Sequence, residues 1–349
     1  MIFSKPVGII SYGTALPTQC ILSSEIENAR NQEHSGIPES LGVSQKTVPN
    51  IDEDTITLST DAVRQALSRS SQDSNDVGAI FIGSESHPYA VKPSSTIVTE
   101  ALNLPSTMSS ADLQFACKAG TAAMQLCASY VAADIHRSCI SVGADTAQSH
   151  PGDVLEFTAG AGAAAYILGK EKLLATLLAT SSVLSDTPDF WRRPMQQHPE
   201  HAGRFSGEPG YFHHIETAAK NLLQEVGLQP NDIDYCIFHT PNTKFPQTVA
   251  KQLGFSHKQL EKSLIVNQIG NTYAAAALLA LANVLDTATS HKKILLVSYG
   301  SGAGSDAFLF ETTPLLVKAR RTWTGFVSEQ IAQLQPLSYQ QYLANTQRH

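Results

Sequence analysis

Apolar positions along the chain follow two periods, and each predicts a different element. Short runs rich in Ile, Val, Leu and aromatic residues lie at 7–12, 78–84, 138–143, 162–168, 173–184, 234–239, 293–299 and 306–312. Their length and composition predict strands. Helical patterns occupy 55–70, 94–103, 117–135, 211–226, 245–253 and 271–287. Asp54 or Thr55 can cap the first helix, and Ser94 or Ser95, after Pro93, can cap the second. The helices at 117 and 271 carry Ala and Leu nearly all round, which predicts helices buried between layers. Strands alternating with helices predict an α/β fold with a parallel sheet.

The pattern repeats. In one segment Glu85 follows a strand and Cys117 opens a helix 32 residues later; in the other His239 ends a strand and Asn271 opens a helix 32 residues later. From each helix opening to the next strand is 23 residues in both segments. Two equal spacings predict duplicated halves, 1–170 and 171–349, packed about a pseudo-twofold axis. Cys117, Asn271, Glu85 and His239 would then converge on one pocket, where strands end and helices begin.

One stretch breaks the alternation. Residues 185–210 are polar and aromatic, with four prolines and three glycines. Trp191, Phe190 and Phe205 predict an ordered loop over the site. The tail after Leu316 is basic, then aromatic and polar, and carries no readable chemistry.

Composition narrows the function. The chain has 349 residues, 42% of them hydrophobic, enough for a sizeable core. A formal net charge of −7 argues against a general nucleic-acid binder. No run approaches the roughly 20 apolar residues that span a bilayer. The start, MIFSKPVGIISYG, reads as a first strand rather than a signal peptide. Five cysteines, Cys20, Cys117, Cys127, Cys139 and Cys236, fit no zinc or redox spacing, so no structural metal is expected. Free thiols point to a cytoplasmic protein.

Cys117 carries the chemistry. A helix N-terminus with Ala119 and Gly120 in its first turn predicts an accessible sulfur with a lowered pKa. A nucleophilic cysteine with a histidine suits acyl transfer through a thioester. Asn271 can hold or polarise the ligand. Backbone N–H groups at Cys117 and in the turn GSGAGSD, 300 to 306, can form an oxyanion hole. That turn lacks the lysine and following helix of a P-loop. Glu85 at a strand end can act as a general base on carbon beside a thioester.

The runs PNIDEDTITLS, GSESHPYAVKPSSTIV, ADLQFACKAGTAAMQL, DTPDFWRR, GRFSGEP, FHTPNTKFP, IGNTYAAA and LLVSYGSGAGSDAF resemble 3-hydroxy-3-methylglutaryl-CoA synthases of the short, archaeal type. The resemblance covers most of residues 7 to 315. It implies a five-layer αβαβα thiolase fold and a homodimer or larger assembly. It implies acetyl transfer to Cys117, deprotonation by Glu85 and polarisation of acetoacetyl-CoA by His239, giving 3-hydroxy-3-methylglutaryl-CoA for the mevalonate route. Asn271 and Ser301 match positions contacting the acyl group; Thr158, Arg204 and Ser206 match the substrate and pantetheine tunnel; Lys244 matches a CoA contact. The resemblance implies no cofactor beyond the CoA thioesters acetyl-CoA and acetoacetyl-CoA. It also implies association with a thiolase and an acyl-CoA-binding scaffold protein. Thr240, Thr248 and the segment 28 to 40 depart from the family pattern. A chain-initiating ketoacyl-ACP synthase would share Cys117, His239 and Asn271 but lack Glu85. A polyketide-branching synthase would take its acyl donor from a carrier protein instead of CoA. A catalytically silent thiolase-fold subunit would have lost the nucleophile or the base, and this chain keeps both.

Overall fold

The eight apolar runs become strands and a ninth joins them. The computed structural model describes residues 1–3, 5–31, 35–146 and 149–346, apart from the side chain of Arg204. Its main sheet contains β1 (Gly8–Ala15), β2 (Val77–Gly83), β3 (Ser109–Leu113), β4 (Ser138–Asp145), β5 (Gly162–Gly169), β6 (Ala175–Leu184), β7 (Tyr235–Phe238), β8 (Lys293–Val297) and β9 (Gly304–Thr312). Their order is β7-β8-β9-β6-β1-β5-β4-β2-β3. The series β2-β4-β5-β1 and β7-β8-β9-β6 have the same sequence of directions: one parallel pair, then two antiparallel pairs. The two series meet where β1 pairs with β6 at Gly8↔Thr176 and Ile9↔Ala175.

The sheet is therefore mixed rather than parallel. Parallel neighbours need a long crossover, usually a helix, which β8 and β9 do not have. A turn at 298–303 joins them, so the chain returns antiparallel.

Four helices complete the layers: α1 (Thr55–Arg69), α2 (Ala119–Ala132), α3 (Phe212–Val226) and α4 (Ala276–Leu285). Successive strand residues face opposite sides. On β5, Ala163, Ala165 and Ile167 join the core under α1, whereas Ala164, Tyr166 and Leu168 join the core holding α2 and α4. On β8, Ile294 and Leu296 face α2 and α4, whereas Leu295 and Val297 face α3. The order is thus helix, sheet, paired helices, sheet, helix, the five layers expected. Among the described residues no helix is long and apolar enough to cross a membrane.

Glycines let the central layer close. A Cβ on Gly120 would lie 2.5 Å from Ala274 O, and one on Gly143 would lie 2.4 Å from the same oxygen. Backbone cannot yield as a flexible side chain can. Gly120→Ala is expected to destabilise the protein by about 3 kcal/mol, measured as a fall in denaturant midpoint.

Local signals mostly hold. Asp54 caps α1 by accepting from Thr57 N–H, as expected. The helix Ser94–Ala101 is capped differently: Asp112 accepts from the N–H groups of Ser94 (2.5 Å) and Ser95 (3.0 Å), and neither serine side chain caps it. The Ser109–Leu113 strand that carries Asp112 is not visible as an apolar run. In the 185–210 loop, Phe190–Trp191 pairs with Glu200–His201. The tail also has a structural role: Tyr342 packs with Ile21, Ile26, Val48 and Phe157.

Candidate active site

Asp145, the last residue of β4, organises the end of β2. Its Oδ1 accepts from Ser84 Oγ (2.6 Å), Ser86 Oγ (2.7 Å) and Glu85 N–H (2.9 Å). Its Oδ2 accepts from Ala274 N–H at 2.7 Å. One buried carboxylate thus fixes the Glu85 loop to the opening of the second central helix. Glu85 Oε1 accepts from Cys117 Sγ at 3.2 Å.

Cys117 lies in a tight turn, Ala116–Lys118, that leads into α2. Ala116 has φ +43° and Tyr273 has φ +48°. Both hold a left-handed backbone, which is costly for residues with a side chain. The matching turn in the other half is Tyr273–Ala275, leading into α4. By this alignment Ala274, not Asn271, corresponds to Cys117. Asn271 precedes the helix rather than opening it. It bridges Ala159, donates its N–H to Thr158 O (2.6 Å) and accepts from Tyr273 N–H on Oδ1 (2.9 Å). The two equal spacings thus locate the right region but align its helix openings about three residues out.

Electrostatics reverse another expectation. Burial pushes the Cys117 thiol well up, and the neighbouring charges of Glu85 and Asp145 push the same way. These effects outweigh the helix N-terminus. Burial and Asp145 push Glu85 up to about 8, against opposing effects of Cys117 and Arg192. At neutral pH the resting pair is therefore mostly thiol and carboxylic acid.

His239 follows β7 and is 1% exposed. Its ring lies between Tyr211 and Tyr299, with centroids 6.5 and 6.4 Å away. Tyr211 OH donates to His239 O at 2.6 Å. Burial pushes the imidazole down to about 3, so it is neutral at physiological pH. Its buried Nδ1 has no hydrogen-bond partner among the described residues. A buried polar atom of this kind is costly unless a ligand pairs with it.

Cys117, Ala159 and Tyr273 pack in one small cluster, with Phe190 against it. Thr158 is buried behind Asn271 and donates its Oγ1 to Leu155 O at 3.2 Å. Ser301 lies in the turn that Gly300 and Gly304 close by exchanging hydrogen bonds at 2.8 and 2.9 Å. Ser206 is half-buried in the irregular segment Ser206–Tyr211. Lys244 is exposed at the start of the helix Lys244–Leu253. Arg204 belongs to the turn Gly203–Phe205, and its side chain lies outside the described part of the structure.

A cavity of about 620 Å³ opens beside Glu85, Ala116 and Tyr273. Phe190, Trp191 and Arg192 from the 185–210 loop line its other side, and Arg192 donates to Glu85 O at 3.3 Å. The loop therefore covers the site, as expected. Of the residues singled out from sequence, this cavity's described lining includes Glu85 but not Cys117, which directly follows Ala116 in the chain, nor His239, Thr158, Ser206, Lys244, Asn271 or Ser301.

Sequence reasoning missed two buried aspartates. Asp145 is legible only as a carboxylate at a strand end. Asp189 accepts from Tyr299 OH (2.6 Å), Thr187 Oγ1 (2.9 Å) and Gly302 N–H (2.8 Å), tying the loop to the glycine turn. Its only signal is its place beside Phe190 and Trp191.

The geometry offers a thiol, a carboxyl group able to take a proton near neutrality, and a neutral imidazole with a free polar atom. That set suits acyl transfer followed by carbon–carbon bond formation. Comparisons with known proteins agree. The family model for hydroxymethylglutaryl-coenzyme A synthase N terminal matches residues 3–172. That for 3-oxoacyl-[acyl-carrier-protein (ACP)] synthase III C terminal matches residues 223–312. Hydroxymethylglutaryl-CoA synthase of Methanocaldococcus jannaschii is 49% identical over 313 residues, 90% of this chain and 91% of that protein. The Archaeoglobus fulgidus enzyme of the same name is 50% identical over 307 residues, 88% of this chain and 89% of that protein. The solved structure of MvaS in complex with 3-hydroxy-3-methylglutaryl coenzyme A superposes with a TM-score of 0.90 at 22% identity. It covers 99% of this chain and 92% of that one, and shares its thiolase-like layering. With half its residues shared over nearly its whole length, the chain belongs to the hydroxymethylglutaryl-CoA synthase family.

Proposed function

We propose that the chain condenses acetyl-CoA with acetoacetyl-CoA and water, giving 3-hydroxy-3-methylglutaryl-CoA and CoA. The observation that carries this reading is the 3.2 Å contact between Cys117 Sγ and a Glu85 carboxyl held near pKa 8. Cys117 sulfur attacks the acetyl carbonyl; the bond to CoA sulfur breaks, and CoA leaves with the thiol proton. Glu85 takes a proton from the methyl group of the acetyl thioester. The enolate carbon bonds to the ketone carbon of acetoacetyl-CoA. His239 donates a hydrogen bond to the ketone oxygen, and the proton that Glu85 took from the methyl group passes to that oxygen as it becomes the product hydroxyl. Water cleaves the thioester and restores the thiol.

The neutral state of His239 supports this role, because a neutral imidazole can donate from one nitrogen without bringing a buried charge. His239→Ala is expected to leave Cys117 acetylation intact and slow condensation by about 10²–10³-fold. Mass analysis of the acetyl-enzyme, alongside steady-state rates, checks both halves of that statement.

Asn271, Thr158 and Ser301 hold the acyl part of the ligand, Arg204 and Ser206 line the way in, and Lys244 offers a cation to the CoA phosphates. N–H groups at Cys117 and in the Gly300–Gly304 turn supply the oxyanion hole. No cofactor beyond the CoA thioesters enters these steps. Residues 1–170 and 171–349 act as two duplicated halves that supply the nucleophile and His239 respectively. The chain works in the cytoplasm as a homodimer or larger assembly, together with a thiolase and an acyl-CoA-binding scaffold, on the mevalonate route. The test is product identification: purified protein with both thioesters yields 3-hydroxy-3-methylglutaryl-CoA by mass. Consumption of acetyl-CoA without that product would reject the reading.

A further inference from the structure

Lys118 directly follows the nucleophile, yet no step above uses it. Its ammonium forms an ion pair with Asp306 Oδ2 at 2.9 Å, with side chains 8% and 2% exposed. Asp306 lies on β9, against the first turn of the helix that Cys117 leads into. The route between them is narrow. A Cβ on Gly300 would lie 3.0 Å from Lys118 Cγ and 2.5 Å from Phe115 O. A Cβ on Gly304 would lie 3.1 Å from Lys118 Cε and 2.8 Å from the Phe115 ring. Gly300 and Gly304 therefore lack side chains where the lysine stem passes. The ammonium also sits 4.0 Å from the centroid of Phe115, two residues before Cys117.

Asp306 is itself held in place. Its Oδ2 accepts from Thr121 Oγ1 at 3.1 Å, and its Oδ1 accepts from Ser182 Oγ at 2.8 Å. Its backbone O accepts from Ser298 N–H at 2.9 Å, just before the glycine turn. The ion pair thus clamps the Gly300–Gly304 turn between the Cys117 turn and β9.

We propose that the buried Lys118–Asp306 pair is a positioning element for acyl transfer. It sets the separation between Cys117 sulfur and the turn that carries Ser301 and the oxyanion-binding N–H groups. This rests on Cys117 being the acetylated nucleophile. A buried pair contributes little net stability against a neutral replacement, whereas removing one partner strands the other charge. That asymmetry separates positioning from mere folding.

The experiment compares wild type, Lys118→Met, and Lys118→Met/Asp306→Asn by single-turnover acetylation with acetyl-CoA and by melting temperature. Lys118→Met is expected to melt lower, and the double variant to recover most of that loss. The double variant should still acetylate about a hundredfold more slowly, since an ångström-scale misplacement has that effect. Its KM for acetyl-CoA should stay within about threefold of wild type, because the defect lies in attack geometry rather than binding. A double variant with wild-type acetylation overturns the proposal, because the pair would then serve folding alone. Gly304→Ala provides a second route, pushing on the lysine stem while both charges remain. A folded Gly304→Ala protein is expected to acetylate slowly with unchanged KM, and a wild-type rate from it would also overturn the proposal. If wild type itself takes no acetyl group on Cys117, the nucleophile assignment fails and this inference fails with it.

Discussion

Glu85→Gln is expected to accept acetate from acetyl-CoA onto Cys117 and then stall. Glutamine keeps the size and a hydrogen-bonding oxygen but cannot take a proton from carbon. The acetyl thioester should accumulate, and condensation should fall by about 10³–10⁴-fold, the range of a well-placed general base. Acetylation should persist because glutamine, like the mostly protonated Glu85, leaves a neutral hydrogen-bonding group beside the Cys117 thiol. The wild-type pH profile follows from the same group. Burial and Asp145 place Glu85 near 8, and only its deprotonated form is a base. Acetylation removes the Cys117 hydrogen bond that holds Glu85 down, so condensation on preformed acetyl-enzyme should rise with pH through about 8 or above and fall about tenfold per unit well below it. His239, pushed down to about 3, should add no break between pH 5 and 8. Stopped-flow condensation from pH 5 to well above 8 checks both points. A histidine-like break near 6.5 would contradict the neutral, buried imidazole.

Cys117→Ser is expected to abolish turnover, with a loss of at least about 10⁴-fold. The hydroxyl is far less acidic than a thiol, and the surroundings already oppose an anion at this position. Burial, Glu85 and Asp145 all act against charge there. The thiol itself reacts only where substrate and oxyanion donors offset that cost as the bond forms. Two consequences can be measured. Free Cys117 should alkylate slowly with iodoacetamide near neutral pH compared with an exposed thiol. Intact-mass analysis of Cys117→Ser with acetyl-CoA should show no acetyl adduct. Rapid alkylation at neutral pH would mean that the thiolate is present at rest, contrary to the buried thiol and carboxyl pair.

The fold was largely legible because its strands are long apolar runs at fixed intervals. All eight such runs became strands of the main sheet. Ser109–Leu113 escaped because an edge strand with sequence SSADL needs few apolar residues. The direction of β5 and β9 escaped because it depends on how the connecting chain returns, not on strand composition. At the site, the meeting of Cys117 with Glu85 was legible from their places at a helix opening and a strand end, and His239 from its place after β7. What sequence could not supply was the balance of burial and charge around them. A helix N-terminus suggested an acidic thiol, but enclosure beside two carboxyl groups makes it a reluctant one. Spacing also aligned Asn271 with Cys117, whereas the left-handed residues Ala116 and Tyr273 align Ala274 with it. Asp145 and Lys118 passed unnoticed because their importance lies in partners 129 and 188 residues away.

The most direct test of the central claim is a two-stage isotope transfer. The protein is first incubated with [¹³C₂]acetyl-CoA, freed of small molecules, and then given unlabelled acetoacetyl-CoA. The account predicts that the labelled two-carbon unit leaves Cys117 and appears in 3-hydroxy-3-methylglutaryl-CoA, as its free carboxylate arm. Label that stays on the protein, or emerges only as acetate, would contradict it.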